Sequence, residues 1–372
     1  MSVITGQPLA SELGGDEHGT RALSSRAATL PLRIARRIAT SVAVVWSVLT
    51  VTFLVTRVFA PDPTSLYLGA AGNGFTSPAA EQLARAKVQR ELGLNGSLLH
   101  QYGRYLSEVL HGNLGTSFQT GRPVSSDLWQ RLGATAELAV YALILGLAVG
   151  IGAGVLAAVR HERWFDRVSR FFAIGFMAMP QFWIGLMLLW LLFTLLHIAP
   201  GPVGRLPLDA NPPPDVTGFY TIDALLAGQF STFWQAVDQL VLPVITLGLG
   251  LAAPVYKVVR TSMLEALSSD YVRAARALGF ADRRIWFRYA LRNVMLPVVT
   301  LLAGIIGYTL AGSVLVEGIF SWPGVGNYAL HAIQSSDFPA IQGFVLYSAV
   351  IYVVVYEAMN AVYAYIDPRV RG

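Results

Sequence analysis

The sequence predicts an all-α integral membrane protein with six transmembrane helices and both termini on the cytoplasmic side. Three observations carry that expectation. Of 372 residues, 54% are hydrophobic and 13% charged, and a mean hydropathy of +0.52 is too apolar for an ordinary soluble protein. Six apolar segments approach the roughly 20 helical residues that a bilayer core of about 30 Å requires. Lysine and arginine are divided unequally between alternate loops, which sets the direction of insertion.

Residues 1–30 are small, polar and aperiodic, and read as a disordered cytoplasmic extension, a passive tail or a regulatory one. Residues 31–372 form the membrane domain. Its first span, Ile38–Thr56, starts late and is longer than the apolar region of a signal peptide. Arg57 and Pro61-Asp62-Pro63 follow it without a convincing cleavage site. In the external loop 57–137, Ser77-Pro78 opens a polar helix that ends near Gly93. Leu98, Leu99, Tyr102, Tyr105, Leu106, Val109 and Leu110 then recur at helical spacing until Gly112. That amphipathic helix lies on the outer face, packed on the chain's own spans or on another subunit.

The second span is Leu138–Val159, and Gly146, Gly150, Gly152 and Gly154 give it a stripe suited to close helix packing. Phe171–Pro200 exceeds one simple span, so Pro180 marks either a kink or a late start to the third helix. The loop Ala199–Gln239 holds six prolines and no sustained period, and reads as an irregular external cap. Leu240–Tyr256 is the fourth span, and a basic hairpin over 257–293 leads into the fifth, Val294–Val316. Glu317–Asp337 mixes glycine, proline and aromatics. It suits a plug or external gate built around Phe320, Trp322 and Pro323, with an ordinary surface loop as the alternative. Phe338–Tyr356 is the sixth span and continues towards Ile366.

The charge pattern orients these spans. Nineteen basic residues fall in the N-terminal tail, the loop Arg160–Arg170, the hairpin and the C-terminal tail, against eight in the alternate loops. Clusters set between apolar runs, and not gathered on one basic face, argue against a nucleic-acid partner despite the net charge of +5. The absence of cysteine excludes disulfides, thiolate metal sites and cysteine nucleophiles. The six histidines lack ligand-like spacing. Neither lysine, Lys87 or Lys257, follows a glycine, so the chain has no phosphate-binding loop and any ATP is bound by another polypeptide. No catalytic constellation emerges, and the chain is expected not to be an enzyme or to hold a cofactor.

The hairpin is the most informative stretch. From Glu265 to Pro297 it sets six arginines against three acids. Tyr271–Leu278 reads as a short helix stopped by Gly279, and Asp282 caps a second helix that runs into the fifth span. A rigid helix held by spans at both ends acts as a lever for a soluble motor. Its arginines pair with acids on that motor or with anionic lipid headgroups, or the segment is a solvated basic loop. Residues Tyr271, Arg273, Ala274, Ala275, Arg276, Ala277, Leu278 and Gly279 are the candidate contact set.

Sequence identity favours the lever. Ala274-Ala275-x-x-x-Gly279, closed by Leu296-Pro297, resembles the coupling loop of ABC importer permeases, with Arg273 where a glutamate is usual. Ala60-Pro61-Asp62-Pro63, Leu92-Gly93-Leu94, Gly112-Asn113-Leu114-Gly115-Thr116-Ser117, Met179-Pro180-Gln181-Phe182-Trp183, Glu317-Gly318-Ile319-Phe320-Ser321-Trp322-Pro323-Gly324 and Asp367-Pro368-Arg369-Val370-Arg371 follow in the order of the dipeptide/oligopeptide/nickel branch. The chain resembles the B-type permease subunit of that branch over residues 31–372. The resemblance implies a type I importer permease fold in a prokaryotic cytoplasmic membrane, and a heterodimer with a C-type permease. It implies two ATPase subunits that carry ATP and Mg, an extracytoplasmic substrate-binding protein, and a peptide substrate; nickel chelates or glycosidic compounds are the alternative cargo. The glycine stripe then packs inside the permease dimer.

Ionisable and break-point residues in the spans are the path candidates: Pro180, Gln181 and Glu357. Glu357 either faces the path or hydrogen-bonds a neighbouring helix, and Gln181 either faces the path or packs. Glu137 and Arg57 sit at span ends within reach of water. A secondary transporter that needs no motor would instead show inverted repeats and paired intramembrane charges, and no clear repeat is visible.

Overall fold

A computed structural model describes residues 17–59, 78–91 and 96–366. Outside them lie residues 1–16, Ser77 with its proposed cap, and the motifs at residues 60–63, 92–94 and 367–371. The described chain is helical almost throughout: α1 (Glu17–Leu54), α2 (Pro78–Glu91), α3 (Leu98–Leu110), α4 (Val124–Val159), α5 (Trp164–Ala178), α6 (Gln181–Leu188), α7 (Tyr220–Leu226), α8 (Phe230–Ser268), α9 (Asp270–Ala277), α10 (Leu291–Ile319), α11 (Val325–Gln334) and α12 (Phe338–Ile366). Five helices are long and apolar enough to cross a membrane, and the bent pair α5–α6 makes a sixth crossing if it is one span.

Three boundaries differ from the sequence expectation, and one expected break is selected. α8 runs from Phe230 to Ser268, beyond Leu240–Tyr256 at both ends, so it takes in the end of the loop read as irregular and the first residues of the basic hairpin. α1 already runs from Glu17, so residues 17–30 of the extension are helical; their alanine, leucine and arginine residues favour helix, and the span continues it. α4 begins at Val124, well before the apolar run at Leu138; Asp127, Thr135 and Glu137 in this early part are buried and paired, while Ser125 and Gln130 stay exposed. The long segment Phe171–Pro200 is not one helix: α5 and α6 meet at 110°. Proline 180 explains this break. The residue before it, Met179, is driven to the extended φ −93°, ψ 135°. Pro180 itself, at φ −61°, lacks the N–H that would continue α5. The helix therefore restarts late, at Gln181.

The core is the pair α4 and α8. A Cβ on Gly146 would meet Leu251 at 2.7 Å, on Gly150 the Ala252 carbonyl at 2.8 Å, and on Gly154 Val259 at 2.8 Å. The stripe therefore packs within this chain, and Gly152, with nothing within 4 Å, is not part of it. Around this seam Leu138, Ala142, Leu247, Leu251, Val316, Phe320 and Trp322 form one apolar cluster. Val255, Val259, Met263, Val294 and Val298 form a second, nearer the hairpin. α8 is 67% buried over its most apolar window, against 11% for α1 and 17% for α12, so those two helices offer apolar faces to lipid or another subunit.

The amphipathic helix of the external loop is α3. Tyr105 stacks on Phe53 of α1 and Tyr102 lies tilted against the same ring, with centroids 5.5 and 5.2 Å away, and the Tyr102 hydroxyl meets that of Thr50 at 2.6 Å. Its aromatic face thus rests on the chain's own first span, while Leu99 and Leu110 stay exposed.

Candidate functional site

The hairpin is a direct continuation of α8. Ser269, extended at φ −72°, ψ 157°, is the one residue between Ser268 and α9. The C-terminus of α9 is closed by paired reverse bonds: Gly279 N–H donates to Arg276 O at 2.9 Å and Phe280 N–H to Ala275 O at 3.1 Å. This Schellman geometry places Gly279 at φ +77°, where glycine alone is unstrained. Phe280 then folds back over α9. Its ring lies on the apolar cluster of Val272, Ala275 and Ile285 and stacks with Tyr289 at 5.8 Å and 8°.

The eight candidate contact residues divide on this scaffold. Tyr271, Arg273, Ala274, Arg276, Ala277, Leu278 and Gly279 are exposed, whereas Ala275 points into the hairpin with Val272. Ala275 therefore holds α9 in place and does not lie on its exposed face. Arg273 pairs with Asp270, Arg276 lies 3.6 Å from Asp282, and Arg284 covers the Phe280 ring at 5.0 Å. Asn293 donates to the Tyr271 hydroxyl at 3.1 Å, tying α9 to the start of α10. Arg283, Arg288 and Arg292 are exposed. The outer face is thus basic, with an unshielded Leu278 (73% exposed) at its tip.

At the other end of the bundle, the segment Glu317–Asp337 is not a surface loop. Trp322 is 1% exposed, its indole N–H donating to Ala134 O at 2.8 Å, and Phe320 is buried in the α4–α8 cluster. Pro323 is exposed. Glu317 fixes the geometry: it accepts from Thr135 Oγ1 and from the Asn327 N–H, both at 2.9 Å. Thr135 in turn accepts the Val325 N–H at 2.8 Å, so two side chains satisfy the open amides at the start of α11. Nearby, Asp337 accepts from Ser117 Oγ at 2.6 Å, joining the 112–117 motif to the start of α12. These motifs surround a cavity lined by Gln119, Arg131, Asn327, Tyr328 and His331, among others. The Arg131 guanidinium lies 4.6 Å from the Tyr328 ring centroid, and burial pushes the Tyr328 phenol up to about 12.

The path candidates are not brought together. Pro180 caps α6, and Gln181 is buried against α8, where a Cβ on Gly250 would collide with its amide. Gln181 thus packs between helices, although its Oε1 lacks a hydrogen-bond partner among the described residues. Glu357 is half-buried on α12, and the bond to a neighbouring helix weighed for it is not present among the described residues.

Sequence reasoning misplaced one acid and missed two more. Glu137 does not reach water: it is 1% exposed, bonded to Arg205 at 2.6 Å and to Thr221 N and Oγ1 at 2.9 and 2.7 Å. The proline-rich loop 199–229 is pinned through it to α4, so the expected irregular cap has a fixed anchor. Glu317 and Asp166, a 0% exposed carboxylate on α5, were also missed. The available signal was an acid beside a glycine (Glu317) or within a basic cluster (Asp166), which gives no partner. Among the described residues no cluster of three His, Asp or Glu side chains could hold a metal ion.

Comparison with known proteins agrees with this architecture. Residues 150–372 match the family described as binding-protein-dependent transport system inner membrane component. The chain is 41% identical to the probable D,D-dipeptide transport system permease protein DdpB of Escherichia coli K12, over 89% of this chain and 95% of that protein. It is 35% identical to the dipeptide transport system permease protein DppB of Alkalihalophilus pseudofirmus, over 90% and 98% respectively. For the dipeptide permease DppB of Escherichia coli K12 the identity is 39%, over 86% and 93%.

Proposed function

The chain belongs to the family of binding-protein-dependent transport system inner membrane components, and from that we propose that it is the B-type permease half of an ATP-driven importer of di- and oligopeptides. It is a multi-pass protein of the cytoplasmic membrane. The peptide cargo rests on the relatives' transport of dipeptides. The partners are a C-type permease, two ATPase subunits that bind ATP and Mg, and an extracytoplasmic substrate-binding protein. Catalysis belongs to the ATPases, in keeping with the missing phosphate loop.

One observation carries the coupling assignment: an exposed, basic, internally packed helix, α9, joined to the membrane helix α8 through a single residue. A motor that grips Tyr271, Arg273, Ala274, Arg276, Ala277, Leu278 and Gly279 moves α8 with it, and through α8 the α4 seam. ATP binding and release then shift the bundle between two access states by differential affinity. The basic distribution puts the hairpin and both termini on the cytoplasmic side. The cavity beside Phe320, Trp322 and Pro323 then faces the binding protein, with that segment as the external gate.

Leu278→Asp tests this reading. It changes an exposed side chain and leaves the packed face of α9 untouched. The expected result is normal insertion and pairing with the second permease, with loss of co-purifying ATPase. Retained ATPase and normal uptake contradict the assignment.

A further inference from the structure

We propose that Asp166 and Arg260 are positioning residues that carry the movement of the hairpin into the break between α5 and α6. This proposal rests on reading the hairpin as the point of ATPase contact.

Five hydrogen bonds define this junction, three of them between α5 and α8. Arg260, two turns before the end of α8, donates from Nε to Asp166 Oδ1 at 2.5 Å and from Nη2 to Oδ2 at 2.9 Å. The carboxylate also takes Arg170 Nη2 at 3.0 Å and the Glu162 N–H at 3.1 Å. One turn earlier, the Tyr256 hydroxyl meets Ser169 Oγ at 2.9 Å. α5 is thus fastened to the hairpin end of α8 by a two-pronged ion pair and one further hydrogen bond.

α6 is fastened elsewhere. Gln181 packs on Gly250, and a Cβ on Gly185 would meet Thr246 at 3.1 Å. Both lie on α8, towards the end opposite the hairpin. α8 contains two prolines, Pro243 and Pro254; Pro254 lies between the two attachment zones, leaves the Gly250 carbonyl without its helical donor and gives α8 a place to bend there. Opposite it, Pro180 separates α5 from α6 at 110°. The α5–α6 elbow thus has one arm tied to α8 on each side of Pro254, with Gln181 packed on Gly250 one turn before it.

The mechanical consequence is specific. If α8 bends at Pro254 when the hairpin is moved, α5 follows the hairpin half through Asp166–Arg260 and α6 stays with the other half. The elbow angle changes, and with it the placement of Pro180 and Gln181. A clamp that only stabilised the fold would not need a bidentate pair placed on the hairpin side of the bend.

The absence of native cysteine makes the angle measurable. Trp164→Cys and Trp190→Cys place spin labels on two exposed positions, one on α5 and one on the helical turn Leu189–Leu195 that continues α6. In the complete transporter in nanodiscs, ATP binding is expected to shift the distance between the labels. Arg260→Gln is expected to abolish most of that shift. Uptake per ATP hydrolysed then falls by about tenfold while hydrolysis persists. Arg260→Lys, which keeps the charge but not the fork, recovers part of the uptake. Tyr256→Phe, which removes the hydroxyl that meets Ser169 and leaves the ion pair in place, gives a smaller loss of the same kind.

An unshifted distance in the parent, an unchanged shift in Arg260→Gln, or uptake and hydrolysis falling in proportion would each overturn the proposal. Failure of the hairpin assignment is separately visible: Leu278→Asp would then retain its ATPase, whatever the labels report.

Discussion

Glu317 of α10 and Thr135 of α4 are joined by a hydrogen bond of 2.9 Å between two fully or nearly buried side chains, and together they cap α11. The tie closes the end of the bundle opposite the hairpin, because α11 leads into α12. Replacing Glu317 by alanine strands the Asn327 amide and the Thr135 hydroxyl in an apolar setting. The expected loss is about 2–4 kcal/mol, from two buried groups left unsatisfied. Thermal unfolding of the detergent-solubilised complex measures it. Glu317→Gln, which keeps an acceptor oxygen, should unfold at an intermediate temperature. Equal losses in both variants would contradict the capping role.

Gly150 and Gly152 stand two residues apart on α4 and should respond oppositely to the same change. A methyl group at Gly150 meets the Ala252 carbonyl and Val255 at 2.8 Å, whereas Gly152 faces open space. Gly150→Ala is expected to cost about 1–3 kcal/mol by overpacking the α4–α8 seam. Gly152→Ala should be neutral or slightly stabilising, since alanine is the better helix former. Thermal midpoints of the two variants decide the matter.

Arg205 and Glu137 form a buried pair, with side chains 8% and 1% exposed. Arg205→Ala leaves a buried carboxylate without its cation and should destabilise by about 3–5 kcal/mol. The loss should be local at first, seen as faster proteolysis within residues 205–218. The double variant Arg205→Met with Glu137→Leu should be less damaging than either single change. A double variant worse than both would show that the pair contributes more than mutual neutralisation.

Ala275→Glu and Leu278→Asp distinguish the two faces of α9. The first drives a charge among Val272, Ile285 and Phe280 and should loosen the hairpin itself, seen as proteolysis near Gly279. The second should leave the hairpin intact and, on the proposed coupling role, reduce only the association of the ATPase. Identical behaviour of the two variants would mean that the exposed face has no role of its own.

Much of this architecture was legible in the sequence because membrane insertion demands it. Apolar length gave the spans from Ile38 to Tyr356, and the arginine clusters gave the hairpin. The spacing of Ala274, Ala275 and Gly279 marked a helix with a glycine stop, which is what α9 and its reverse turn are. Less visible was everything that depends on a distant partner. Glu137 looked like a solvated span end because Arg205, 68 positions away, is not legible as its partner. Asp166 looked like one acid in a basic loop because Arg260 lies on another helix. Helix periodicity also hid the start of α4 at Val124, since paired polar residues break the apolar run without breaking the helix. At Pro180 the sequence offered a kink or a restart, and the extended Met179 selects the restart.

The central claim is that this chain moves peptide only when a separate ATPase pushes α9. Proteoliposomes make the direct test, with labelled dipeptide inside and outside measured over time. Vesicles that hold the chain with its second permease, both ATPases and the binding protein should accumulate dipeptide when ATP is supplied on the hairpin side, and Leu278→Asp should stop accumulation. Uphill accumulation by vesicles that hold this chain alone, without nucleotide, would contradict the account.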